Sequence, residues 1–237
     1  MRRSAIAIGC IALLLTLAAS TAVPGQAQGV TLKKPEFSHP LVIDNRYFPL
    51  KPETTFIYGG TEDGEPTYER FVVTERTKLV MGIETRVIHD RNWVNDELVE
   101  DTFDWFAQDD AGNVWYFGEF STQYENGRAV GHEGSWRAGV NGASPGIVME
   151  AKPKKGDTYR EERAPGIAED TATVLSLYSS VCVPLRCFSN VLKTKEFSPL
   201  EPGAFEYKYY AREIGLIKSF LAQGGSEVSR LIKIERE

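Results

Sequence analysis

Residues 68–120 read YERFVVTERTKLV-MG-IETRVIHDRNWV-ND-ELVEDTFDWFAQ-DDAG-NVWYFGEF. Long runs rich in β-branched and aromatic residues are cut by turn formers: Met81-Gly82, Asn95-Asp96 and Asp109-Asp110-Ala111-Gly112. Strand residues alternate faces, so Phe71 and Val73 share one side and Val72 and Thr74 the other. This is the signature of an antiparallel sheet built from successive hairpins.

The same pattern continues outward. Residues 54–58 form a strand that Gly59-Gly60 stops. Residues 122–125 lead into Asn126-Gly127, the dipeptide of type I′ hairpin turns. The stretch 139–166 is rich in Gly, Pro and Lys and reads as loops around short strands at 147–150 and 158–162. Strands resume at 173–183, 188–197, 205–212, 216–222 and 228–234, and no repeat of fixed period is present. The expected fold is all-β, an antiparallel meander of about a dozen strands joined by short links. It curls into a barrel, a half-barrel or a two-sheet sandwich, because exposed edges must be removed or covered.

The first 27 residues carry an address. Arg2-Arg3 is a basic start, residues 5–19 are mostly apolar, and Gly25-Gln26-Ala27 places small residues where a signal peptidase cuts. The apolar run of roughly fifteen residues is shorter than the ~20 a membrane-spanning helix needs. Residues 1–27 are therefore read as a signal peptide, 28–40 as a loose N-terminal segment and 41–237 as a single β domain. Cys10 lies too early in the apolar run for lipidation at that residue, and Ser4-Ala5-Ile6 lacks the twin-arginine consensus, so general secretion fits better. The expected location is periplasmic or extracellular.

The net charge is −6, and more negative once Arg2 and Arg3 are removed; no basic run occurs. Nucleic acid and stable membrane insertion of the mature chain are not expected, and the oligomeric state is left open. After cleavage the cysteines are Cys182 and Cys187, flanking Val183-Pro184-Leu185-Arg186. With Pro184 and Leu185 central in a two-residue turn, the cysteines face each other as a non-hydrogen-bonded pair, close enough for a disulfide. A redox or metal pair fits less well, since the spacing is not Cys-x-x-Cys and no His is near.

Three stretches resemble an uncharacterised family of bacterial exported β-rich proteins. They are Tyr47-Phe48-Pro49-Leu50-Lys51-Pro52-Glu53-Thr54-Thr55-Phe56-Ile57-Tyr58, the run from Asp104 to Glu119, and Tyr209 to Lys218. Glu53 stands where the family usually has glycine. The resemblance implies an exported β-sheet protein and assigns no chemistry.

The densest chemical feature is the hairpin around Gly112. With a four-residue loop at 109–112, Trp105 pairs with Tyr116, Phe106 with Trp115 and Asp104 with Phe117, so both faces carry aromatics. One face is then core and the other is covered or lines a cavity. Trp93, Trp105, Trp115, Tyr116 and Trp136 are the candidate ligand-binding residues for an apolar molecule or a carbohydrate. Acids cluster nearby, and the candidate catalytic set is Asp101 and Asp104 with His132 or Glu133. The carboxylates lack the spacing of a calcium loop, and no metal or cofactor is expected. No His-Glu-x-x-His, Gly-x-Ser-x-Gly or phosphate-binding glycine loop occurs. The leading expectation is an exported binding or accessory protein. The alternatives are a secreted polysaccharide hydrolase or lyase using acidic residues, and a structural surface protein without a small ligand.

Overall fold

The computed structural model describes residues 35–236; the expected signal peptide and residues 28–34 lie outside them. Among the described residues fourteen strands form one antiparallel sheet, with no helix. In chain order they are β1 (Thr54–Glu62), β2 (Glu65–Val80), β3 (Ile83–Val94), β4 (Glu97–Gln108), β5 (Val114–Glu125), β6 (Arg128–Gly131) and β7 (Trp136–Arg137). There follow β8 (Gly146–Met149), β9 (Thr158–Arg160), β10 (Thr171–Cys182), β11 (Cys187–Phe197), β12 (Phe205–Ala211), β13 (Gly215–Gln223) and β14 (Glu227–Arg236).

The strand order is β6-β5-β4-β3-β2-β1-β14-β13-β12-β11-β10-β9, with β7 and β8 added to the far end of β5. The expected single meander is thus two meanders, one running β1 to β6 and the other β9 to β14, joined where β14 pairs with β1. Strand pairing does not close the sheet into a barrel; it curls on itself instead. Tyr58 Oη donates to the Leu216 carbonyl at 3.0 Å across the inner side. At the seam, Gly146 lies so close to the Glu161 carbonyl that any Cβ would collide with it, and Ser144 N–H donates to the Arg163 carbonyl.

Turn chemistry sets the hairpins. Asn95 and Asp96 both adopt positive φ, as do Asn126 and Gly127, the backbone a type I′ turn demands. Gly59-Gly60 does not end β1. The turn comes later, at Asp63-Gly64, and Gly60 allows close approach: a Cβ there would sit on the Val228 carbonyl of β14.

The stretches 47–58, 104–119 and 209–218 meet in the core. Phe48 packs 5.5 Å from the ring of Phe106 and 6.4 Å from that of Tyr210, and Arg212 Nε donates to Tyr47 Oη. Residues 35–40, the described end of the segment expected to lie loose, are tied down. Phe37 packs edge-on against Trp115 and Phe117, and Asp110 accepts from the Ser38 N–H and Oγ. The disulfide joins Cys182 and Cys187 as expected, with Val183 N–H bonded to the Arg186 carbonyl across the two-residue turn.

The central hairpin departs from its expected register. Phe106 pairs with Tyr116, Ala107 with Trp115, and Asp104 with Glu119, with a bulge between Asp104 and Phe106. The loop is one residue longer because the Asp109 carboxylate organises it. It accepts from the N–H groups of Ala111 and Asn113, from Asn113 Nδ2 and from Trp115 Nε1.

Candidate functional site: an acid-lined cleft inside the curl

On strand after strand the inner face changes from apolar to acidic toward the same edge of the sheet, with the chain on β3 and β11 and against it on β2, β4 and β12. β2 presents Val73, Phe71, then Glu69; β3 Ile88 then Asp90; β4 Phe106, Asp104, Thr102, then Glu100. From the other meander, β11 presents Leu192, Thr194, then Glu196, and β12 Tyr210, Lys208, then Glu206. The period-2 alternation of strands gives each such series one face. The apolar halves pack into the core, and the acidic halves gather around a cleft of about 220 Å³. Glu100, Tyr116, Glu119, Ser121, Gln123, Glu161, Glu162, Asp170 and Lys208 line its walls.

The Tyr116 hydroxyl lies 2.6 Å from Asp104 Oδ1 and 2.8 Å from Glu119 Oε2. A phenol has one proton to donate, so satisfying both contacts requires a proton on one of the carboxyls. Burial pushes Asp104 up to about 7 against the pull of the Tyr116 hydrogen bond. Burial, then Glu162 and Asp104, raise Glu119 well above the carboxylate range. Glu162 reaches about 8 through burial and the nearby Asp170, although Trp136 Nε1 donates to it at 3.2 Å. Burial and Glu227 take Glu69 to about 7. These directions all follow from crowding like charges in a space with little water.

One cation anchors the opposite wall. Lys208 Nζ sits 2.5 Å from Glu196 Oε2 and 3.1 Å from Glu206 Oε1. Burial by itself would lower the lysine pKa, but Glu196 and Glu206 hold it above the ordinary lysine value. Water reaches the cluster, since Lys208 keeps 26% and Glu206 30% of their side-chain surface exposed.

The candidate residues read from the sequence scatter. Tyr116 lines the cleft, and Trp136 meets it with rings edge-on at 5.4 Å. Trp105 is buried beneath Lys78, whose Nζ stands 3.6 Å from the ring centroid, and with Trp136 it borders a second cleft of about 300 Å³. Glu119 borders both clefts. Trp115 is tied to the Asp109 loop, and Trp93 lies on the outer face beside Tyr68 and Arg91. Asp104 is central, and Glu133 stands at the rim of the first cleft. Asp101 points to the outer face, where it contacts His89 at 3.0 Å. His132 packs on Phe120 at the outer side, its Nδ1 bonded to the Ser121 carbonyl. Asp101 and His132 therefore do not join Asp104.

Sequence reading missed Glu69, Asp90, Glu119, Glu161, Glu162, Glu196, Glu206 and Lys208. Their signal was present as polar residues at every second position, in Glu119-x-Ser121-x-Gln123 and Glu206-x-Lys208-x-Tyr210. Nothing local says that this polar face turns inward. Among the described residues no group of three or more His, Cys, Asp or Glu side chains is arranged to hold a metal ion.

No protein-family model matches the chain, and no curated protein matches it. Two solved structures are similar to it. One is a protein described as exported and of YmcC-like fold from Bacteroides fragilis. It is 14% identical, with a TM-score of 0.49 over 81% of this chain and 100% of that one. The other is a protein described as a lipoprotein from Parabacteroides distasonis, 12% identical, with a TM-score of 0.44 over 81% of this chain and 99% of the other.

Proposed function

We propose that this is an exported accessory protein that binds a carbohydrate in the acid-lined cleft. Export rests on the leader in residues 1–27. The ligand class rests on the character of the walls, where carboxyls, a phenol, an ammonium, Ser121 and Gln123 present hydrogen-bonding groups. Such a lining suits hydroxyls and amines and disfavours an acyl chain, whose burial would leave those groups unpaired. The surplus of carboxyls over the single Lys208 favours a neutral or amino-bearing sugar over an acidic one.

Isothermal titration with neutral and glucosamine-type oligosaccharides tests this reading. Oligosaccharide binding that weakens at least about tenfold in Glu100→Gln and Glu119→Gln, with the circular dichroism spectrum unchanged, supports it. A co-purified lipid released from the wild type, or no binding of any oligosaccharide, overturns it.

The Asp104–Tyr116–Glu119 trio favours a second reading, a polysaccharide hydrolase or lyase. A phenol between two carboxyls, one of them near 7, can hold a proton for a leaving oxygen at neutral pH. Release of reducing ends or unsaturated sugars, abolished in Tyr116→Phe, is the expected result under that reading.

A further inference from the structure

The alternation that turns carboxylates inward turns cations outward. Glu69 faces the cleft and Arg70 the outside; Asp90 and Arg91 divide in the same way, as do Glu196 and Lys195. Across the outer face the pairing register lines up Lys193 (β11), Tyr209 (β12), Lys218 (β13) and Arg230 (β14). Through Gly59 the row continues to Tyr68 (β2) and Trp93 (β3). At about 4.8 Å per strand this row is about 29 Å long. A parallel row, Lys195, Tyr207 and Phe220, runs beside it.

Cations and rings in this strip are interleaved. Lys193 Nζ stands 3.6 Å from the centroid of Tyr207, and Lys195 Nζ 4.0 Å from that of Phe205. Lys218 is directly opposite Arg230, an arrangement that costs folding energy. Burial, then Arg230 and Lys193, lower the Lys218 pKa. An external anion laid along the row would relieve that repulsion, and lysines that swing toward it would uncover ring faces.

We propose that this outer strip binds an acidic polysaccharide, its carboxylates paired with Lys193, Lys218 and Arg230 and its sugar rings resting on Tyr207 and Tyr209. Spanning seven neighbouring strands along the curve of the sheet, the strip suits a polymer better than a small anion. Its rings, Tyr68 apart, lie half-buried along the sheet, whereas a face that enters a bilayer presents an exposed apolar wedge. This surface is separate from the acid cleft on the opposite face, and its charge selects the opposite class of glycan.

Binding to immobilised polygalacturonate, a uronate polymer, provides the test, with dextran and phosphatidylglycerol vesicles as comparisons. The wild type should bind polygalacturonate at low salt, lose it at high salt and ignore dextran. The combined Lys193→Gln, Lys218→Gln and Arg230→Gln variant should bind at least about tenfold more weakly. Lys218→Glu, which sets an acid opposite Arg230 and should not lower the melting temperature, should show a loss in the same direction. The combined Lys152→Gln, Lys155→Gln and Arg128→Gln variant removes as much charge from exposed positions elsewhere and should retain binding. Equal weakening in that control, no binding of the wild type to polygalacturonate, or preference for the vesicles would overturn the proposal.

Discussion

Tyr116 places its phenolic oxygen 2.6 Å from Asp104 Oδ1, and the same oxygen reaches Glu119 from the other side. Replacing Tyr116 by Phe removes the hydroxyl that bridges the two carboxyls. The variant should lose about 1–3 kcal/mol of stability, because buried polar atoms lose their partner. The loss should be larger at pH 8, where Asp104, held near 7, is mostly ionised and relies on the phenolic proton, than at pH 5. Chemical denaturation at the two pH values reads both quantities.

The raised carboxyls make the wild type itself sensitive to pH. Asp104 and Glu69 are held near 7 and Glu162 near 8, against ordinary values of 3.8 and 4.5. Between those limits the folded chain binds more protons than the unfolded one, so stability falls as pH rises. The penalty is absent below about pH 4 and complete above about pH 8. The melting temperature should therefore drop from pH 5 to pH 8, by about 2–4 °C for each kcal/mol in a domain of this size. A flat profile over that range would contradict the picture of a protonated interior.

Lys208 is the counterweight in the cleft. Lys208→Met leaves Glu196, which is 3% exposed, and Glu206 without their cation. The expected cost is about 3 kcal/mol at neutral pH, smaller in acid, where Glu206, pushed up to about 7, takes up a proton. Urea unfolding at pH 5 and pH 7.5 checks both the magnitude and its direction with pH.

Glu53 has φ of +62°, a left-handed conformation that is strained for any residue with a Cβ. Glu53→Gly should therefore stabilise the protein, by about 0.5–1 kcal/mol after allowing for the added freedom of the unfolded chain. A thermal melt that moved downward would count against this assignment.

The Cys182–Cys187 bridge closes a short loop, and its loss should cost about 2 kcal/mol. Because it staples one hairpin at the end of β10 and β11, the double Cys182→Ser, Cys187→Ser variant should keep the wild-type circular dichroism spectrum. Reduced wild-type protein should match that variant in denaturation midpoint.

Much of this architecture is legible residue by residue. The turn dipeptides Asn95-Asp96 and Asn126-Gly127, the β-branched runs between them and the Cys-Val-Pro-Leu-Arg-Cys hairpin act over a few residues, and each forms as read. The expected register of the central hairpin fails by one residue because the Asp109 side chain, which satisfies four donors, enlarges its loop. Gly59-Gly60 reads as a stop but serves contact with β14, which arrives from the far end of the chain.

By itself the sequence determined the strands, most of their turns and the division of each strand into two faces, since backbone sterics and a repeat of two residues are local properties. Which face turns inward was decided only when β14 paired with β1 and drew the two meanders into one curl. That long-range pairing brought Asp104 and Glu119 of one meander toward Glu162, Glu196 and Lys208 of the other. The proximity of like charges, and the protons they hold, arises from distances through space that spacing along the chain does not encode.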